Sequence, residues 1–231
     1  MAEKKDVQFE EVKANEAADK VIERAKGFWE KYSKMIIYGG GALIILLGGY
    51  YAYQNFYNEP RELKAYDAIF QAQRYFEKDS LQLALKGDGQ YAGFEKIAAN
   101  YSGTKAGNLA KFYTGVCALQ LGDANKAVKF LGDFSTDAKE IQTIAYARLA
   151  DAYAELGKND DALKFYDKAG HYYPEHDGLS ADNLFRAGML CEVLGKEEQA
   201  AKYYKEIKVK YSRTEKGYQI DKYLARVGVV E

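Results

Sequence analysis

Three segments in the C-terminal part of the chain carry the same punctuation, and this repetition restricts the fold more than any single motif does. They run Ala110 to Phe134, Tyr146 to Pro174 and Leu184 to Ser212. In each, a leucine is followed by glycine (Gly122, Gly157, Gly195), then five residues on by Ala127, Ala162 or Ala200, and four later by Leu131, Tyr166 or Tyr204. The equivalents are spaced by 35 and then 38 residues, and a small residue (Gly115, Ala150, Gly188) stands seven positions ahead of each glycine. Each feature has a mechanical reason. The glycine supplies the left-handed backbone that ends a helix, and the small residues let two helices cross closely. The bulky residue fills the space between neighbouring hairpins, and Pro174 stops the second helix of the middle segment.

Composition agrees with a helical chain. Among 231 residues only Pro60 and Pro174 are prolines, against 21 tyrosines and abundant Ala, Lys, Glu and Leu. At 48% hydrophobic residues there is enough apolar material for a core. The repeated segments resemble the tetratricopeptide repeat. The middle one fits best, with Tyr146, Leu149, Ala150, Tyr153, Gly157, Ala162, Tyr166, Ala169 and Pro174 in the signature places. Upstream the resemblance weakens. Residues 61–101 offer a long helix and a shorter one, YAGFEKIAANY, separated by the glycine-rich KGDGQ, and read as a degenerate first repeat. The stretch TEKGYQIDKYLARVGVV reads as a solitary helix covering the last hairpin.

A second feature lies near the N-terminus. No charged residue occurs from Met35 to Asn58, and its heart, MIIYGGGALIILLGGYYAY, is 19 residues long. As a helix rising about 1.5 Å per residue it covers roughly 28 Å, close to the hydrocarbon thickness of about 30 Å. Aromatic residues bracket it, with Trp29, Tyr32 and Tyr38 on one side and Tyr50, Tyr51, Tyr53, Phe56 and Tyr57 on the other. A buried core helix rarely runs so far without a polar face. A cleaved signal peptide needs a short basic leader and a small-residue cleavage site, whereas 34 residues precede this core and tyrosines follow it. An uncleaved transmembrane anchor is expected. Arg24, Lys26, Lys31 and Lys34 precede the span and only Arg61 and Lys64 follow closely, which favours a cytoplasmic N-terminus. Gly41, Gly48 and Ala52 fall at seven and four residue steps along one face, a candidate membrane helix contact, although glycine is also simply tolerated in lipid.

Residues 1–34 hold eight acidic and eight basic side chains, and Ala14, Ala18, Val21, Ala25, Phe28 and Tyr32 recur at helical steps. This stripe fits a coiled-coil seam, a helix on the inner leaflet, a partner helix or a solvated helix. The sequence leaves all four open.

Chemistry is not visible. The formal charge is −1, so the chain lacks the basic excess that neutralises phosphates, and nucleic acid is not an expected partner. Cys117 and Cys191 lie 74 residues apart without a second thiol or a histidine at ligand spacing. No nucleophile elbow, phosphate loop or HExxH occurs, and the acidic residues read as ordinary helix-surface charge. The expectation is a protein without enzymatic activity, cofactor, metal or small-molecule substrate. His171 and His176, on either side of Pro174, read as capping or solvent-facing residues.

The expected organisation is a charged helical segment at 1–34, a transmembrane helix at 35–57 and a repeat domain at 58–231. Within the last, a degenerate repeat spans about 61–101, repeats span about 104–136, 139–174 and 177–212, and a cap spans 214–229. The fold class is all-α, one transmembrane helix followed by a tetratricopeptide-type helical-hairpin solenoid with a C-terminal capping helix. This layout resembles the tetratricopeptide-repeat ancillary subunits of the bacterial Sec translocon. The resemblance implies an inner-membrane protein with its repeats in the periplasm, whose partners are translocon subunits, periplasmic chaperones or exported proteins, and the lipid bilayer. A scaffold for cell division or outer-membrane assembly shares the same architecture, and a receptor with repeats in the cytosol follows if the topology is reversed.

Stacked helical hairpins generally bind along the concave side, lined by the first helix of each repeat. By register this face takes Leu109, Phe112, Val116 and Leu119 from one repeat, and Ile144, Ala147 and Asp151 from the next. The third contributes Asp182, Phe185, Met189 and Glu192. Several of these could equally pack beneath the capping helix.

Overall fold

A computed structural model describes residues 3–229, with side chains described for 22–24 and 26–229. The chain divides into two compact units, Met1–Glu59 and Pro60–Glu231. Among the described residues the structure is helical, with only an isolated bridge between Gly87 and Ala92 in place of sheet.

In the first unit, α1 (Glu3–Tyr53) is followed by a π-helical turn at Gln54–Asn58. The charge-free stretch lies on α1, is long and apolar enough to cross a bilayer, and leaves Leu43, Ile44, Ile45, Leu46 and Leu47 exposed. Such a surface is unstable in water and suits lipid. The rings of Phe28 and Tyr32 lie 4.8 Å apart. The remainder of the N-terminal stripe, Ala14, Ala18, Val21 and Ala25, falls outside the described side chains.

The second unit begins with α2 (Glu59–Glu77), then the short α3 (Leu81–Lys86) and α4 (Phe94–Asn100). Three hairpins follow: α5 (Lys105–Gln120) with α6 (Ala124–Gly132), α7 (Lys139–Glu155) with α8 (Asn159–Tyr172), and α9 (Asp177–Val193) with α10 (Glu197–Lys210). The last helix is α11 (Glu215–Arg226).

The repeated glycines turn each hairpin. Gly122, Gly157 and Gly195 have φ of +80°, +68° and +69°. The next amide in each case reaches back to close the helix end, Asp123 to the Ala118 carbonyl, Lys158 to Tyr153 and Lys196 to Cys191, at 2.8 to 2.9 Å. The small residues upstream govern the crossing. A Cβ at Gly115 would stand 2.5 Å from Leu131 Cγ, and one at Gly188 would stand closer still to Tyr204 Cε1. Ala150 makes the same approach possible in the middle hairpin, where it is fully buried with Ala162 and Tyr166.

A second recurring device starts α5 and α11. In Tyr101-Ser-Gly-Thr104 and Tyr211-Ser-Arg-Thr214 the threonine hydroxyl donates to the tyrosine carbonyl at 2.8 and 2.7 Å. The same oxygen accepts from the amide of Gly107 or Gly217, satisfying a donor the helix start leaves open. Glu62 on α2 adds two further bonds to the start of α5, accepting from the amides of Lys105 at 2.7 Å and Ala106 at 2.8 Å. A carboxylate there also meets the positive end of the helix dipole.

The glycine-rich KGDGQ, which departs from the usual repeat turn, is ordered by its aspartate. Asp88 accepts from the Tyr75 hydroxyl at 2.6 Å and from the amides of Gln90 and Tyr91. The Tyr75 bond, then the backbone donors, hold its carboxyl below the usual carboxylate range. Gly87 and Gly89, at φ of +87° and +93°, give the loop its left-handed turns. Cys117 and Cys191 are free thiols packed in the core, where burial pushes their pKa up to about 12 and about 11. They act as small hydrophobes.

Candidate protein-binding face

The first helices α2, α5, α7, α9 and α11 carry the candidate face, and its two halves differ in chemistry. Of the α5 residues, Leu109 and Phe112 are half-buried, with the Phe112 ring 5.4 Å from that of Phe134. Val116 and Leu119 are only 8% exposed and pack with Ala127, Leu131 and Leu149. They are therefore core residues and not groove residues. The bulky Leu131 of α6 and the approach of α7 close over that part of α5. On α7, Ile144, Ala147 and Asp151 stay partly exposed.

In the C-terminal half, side chains expected to meet a partner meet one another. Asp151 accepts from Arg148 at 3.1 Å, from Arg186 on α9 at 3.1 Å, and from the Tyr166 hydroxyl. Arg186 also donates to Asp182 at 2.9 Å, and Lys216 on α11 lies 3.9 Å from Asp182. Burial alone would lower the Arg186 pKa, yet Asp182 and Asp151 together raise it, so its charge is secured by the ladder. Glu192 receives a two-pronged bond from Arg226 on α11, at 2.6 and 2.8 Å, and a third from the Tyr204 hydroxyl. Burial opposes ionisation of Glu192, but Arg226 and Tyr204 overcome it and hold the carboxyl below its usual range. Met189 Sδ lies 3.3 Å from the same arginine. Phe185 packs its ring edge-on to Tyr223 at 4.6 Å and beside Tyr204 at 5.9 Å, with the Lys216 ammonium above it at 5.1 Å. Asp182, Phe185, Met189 and Glu192 thus hold α11 in place.

The N-terminal half is apolar and open. A cleft of about 380 Å³ with a mixed lining is walled by Tyr66 of α2, Lys105, Asn108 and Leu109 of α5, Phe134, Ser135, Thr136 and Asp137 of the following loop, and Ile141 of α7. Beside it α2 exposes Leu63, Tyr66 and Phe70 at 63%, 48% and 61%. Sequence reasoning missed Tyr66 and Ile141. The signal was present for α2, which has two apolar stripes at helical steps. The small stripe, Ala65, Ile69 and Ala72, is the buried one, which leaves the bulky stripe outward.

A cleft of about 780 Å³ lies between the second helices α8 and α10 and is lined by Asp167, His171, Lys202, Tyr203 and Glu206. His171 places Nδ1 at 2.8 Å from the Asp167 carbonyl and Nε2 at 3.2 Å from the Glu206 carboxylate, so it cross-links these helices. His176 caps α9, accepting from the Leu179 amide at 3.2 Å. In the first unit, the positions of Gly41 and Gly48 have no neighbouring atom within 4 Å of an added Cβ, and Ala52 is exposed. That face is open among the described residues.

Comparison with known proteins fits this architecture. A family model described as a tetratricopeptide repeat-like domain matches residues 26–218. Among solved structures, a protein of Podosopora anserina described as a kinesin light chain with nearly identical TPR-like repeats is similar at 15% identity and a TM-score of 0.53. The alignment covers 72% of this chain and 86% of that one. A single-substitution variant of the same protein gives the same TM-score and identity, over 72% and 85%. At such identity the likeness is one of fold. No curated protein matches the sequence.

Proposed function

We propose, from the premise that this chain belongs to the tetratricopeptide repeat-like domain family, that it is a membrane-anchored adaptor at the bacterial Sec translocon. In this reading α1 spans the inner membrane with its N-terminus in the cytoplasm. The repeat unit stands in the periplasm and assists transfer of exported proteins to periplasmic chaperones. The family's fold is typically a scaffold for protein interaction and not a catalyst. The observation that supports the reading most directly is the open apolar half of the first-helix face, in a chain whose α1 carries an unburied, charge-free stretch of bilayer length. The layout resembling the translocon's ancillary subunits supplies the choice of machinery, and the basic flank Arg24, Lys26, Lys31 and Lys34 supplies the orientation.

The test is chemical crosslinking of the intact protein in native membranes with identification of the adducts. Translocation-channel subunits and periplasmic chaperones are the expected products. Recovery of division or outer-membrane assembly proteins in their place would move the assignment to an envelope scaffold. Protease added to sealed spheroplasts should remove the repeat unit, and protection of that unit would reverse the topology.

A further inference from the structure

One apolar rhythm runs along α1 from its charged segment into its charge-free one without a break in phase. The stripe that begins at Ala14 and ends at Phe28 and Tyr32 advances by alternate steps of four and three residues. The next positions in that rhythm are Met35, Gly39, Ala42, Leu46, Gly49 and Tyr53. We propose that α1 pairs along this seam with α1 of a second copy of this chain, parallel and in register, from the cytoplasmic segment through the bilayer. The proposal rests on α1 as a bilayer span and goes beyond the adaptor reading, because it is independent of what the repeats bind.

A period of 3.5 residues is the one that two supercoiled helices share. The unbroken course of α1 from Glu3 to Tyr53 argues against a stripe lying on the inner leaflet, since residues 14–34 continue the direction of the span for about 30 Å. There Ile22, Phe28 and Trp29 stand 49%, 58% and 55% exposed among charged neighbours, beyond the reach of lipid. Symmetry selects the occupant. Copies of one chain insert in the same direction with residues 35–58 at the same depth, so each seam residue meets its own equivalent. Any charged seam position would then set like charges face to face. Nine of the 21 residues from 14 to 34 are charged, yet none of the nine stands on the seam. The same register sets Arg24 of one copy beside Trp29 of the other at the edge of the seam, where a guanidinium on an indole face is favourable. Within the bilayer Gly39, Ala42 and Gly49 let the two backbones approach. Gly41 and Gly48 lie off this seam.

The test introduces one cysteine at a time into the full chain and oxidises native membranes that hold two differently tagged copies. Cys117 and Cys191 are buried, so the chain without an added cysteine sets the baseline. Phe28→Cys, Met35→Cys and Ala42→Cys should give disulfide-linked pairs carrying both tags, at least about ten-fold above Glu30→Cys, Ile37→Cys and Ile44→Cys on the far side of the helix. An added Cβ at Gly48 or Gly49 meets nothing within 4 Å in its own chain. Gly49→Leu should nonetheless lower the Phe28→Cys adduct about ten-fold, and Gly48→Leu should leave it unchanged. Equal yields on both sides, a reversed response of the two glycines, or adducts to a different protein would overturn the proposal. No adduct from a chain that stays in the membrane through alkaline extraction would remove the pairing and leave the span. Release of the chain by that extraction would remove both.

Discussion

Gly188 and Gly157 show how one residue type serves two purposes. At Gly188 the backbone is ordinary helix, but a side chain would collide with the Tyr204 ring. Gly188→Val should therefore lower the unfolding free energy by about 2–3 kcal/mol through overpacking, read in urea melts of the full chain in detergent. At Gly157 the space is empty, and the constraint is the φ of +68°. Gly157→Ala should cost about 1–2 kcal/mol by the same measurement, since the left-handed conformation crowds any Cβ. The periodic Leu-Gly pairs made these turns readable from sequence, because the backbone demand is local. Phe185 was not readable in the same way. Its register left it either on the open face or beneath the capping helix, and Tyr204, Tyr223 and Lys216 decide for the second, through contacts from residues far along the chain. Val116 and Leu119 failed for the same reason, being covered by α6 and α7.

At the level of the element, α11 depends on a few polar anchors as well as on Ile220 and Leu224 in the core. Thr214→Ala removes the cap that starts it and should destabilise the helix by about 1 kcal/mol. The Glu192–Arg226 pair adds a dependence on acidity. The folded-state pKa of Glu192 lies below the ordinary value of 4.5, so its contribution is complete above that value and is lost as the pH falls through the depressed one. The protection of the α11 amides, relative to their intrinsic exchange rate at each pH, should thus fall only below pH 4.5, and Glu192→Gln should lower it already at neutral pH. The all-α, tetratricopeptide-like class followed from periodicity and turn chemistry, which act over a few residues. On α2, two apolar stripes competed, and only the packing of Ala65, Ile69 and Ala72 against Phe94, Ile97 and Ala106 decided which one faced solvent. Tyr66 and its cleft could not be read before that decision was known.

In the whole molecule, a chain segment of bilayer length precedes a repeat unit whose first-helix face is apolar at one end and internally neutralised at the other. Binding is therefore expected to be confined to the end near α2, α5 and α7. The second helices offer a contrast in Val209 of α10, which is 78% exposed yet lies outside the proposed face. The most direct measurement places a photo-crosslinking residue at Ile141 in one variant and at Val209 in another, each in the full chain in native membranes, and identifies the adducts. Protein adducts at Ile141 and few or none at Val209 are the expected result. Adducts at Val209 with none at Ile141 would contradict it.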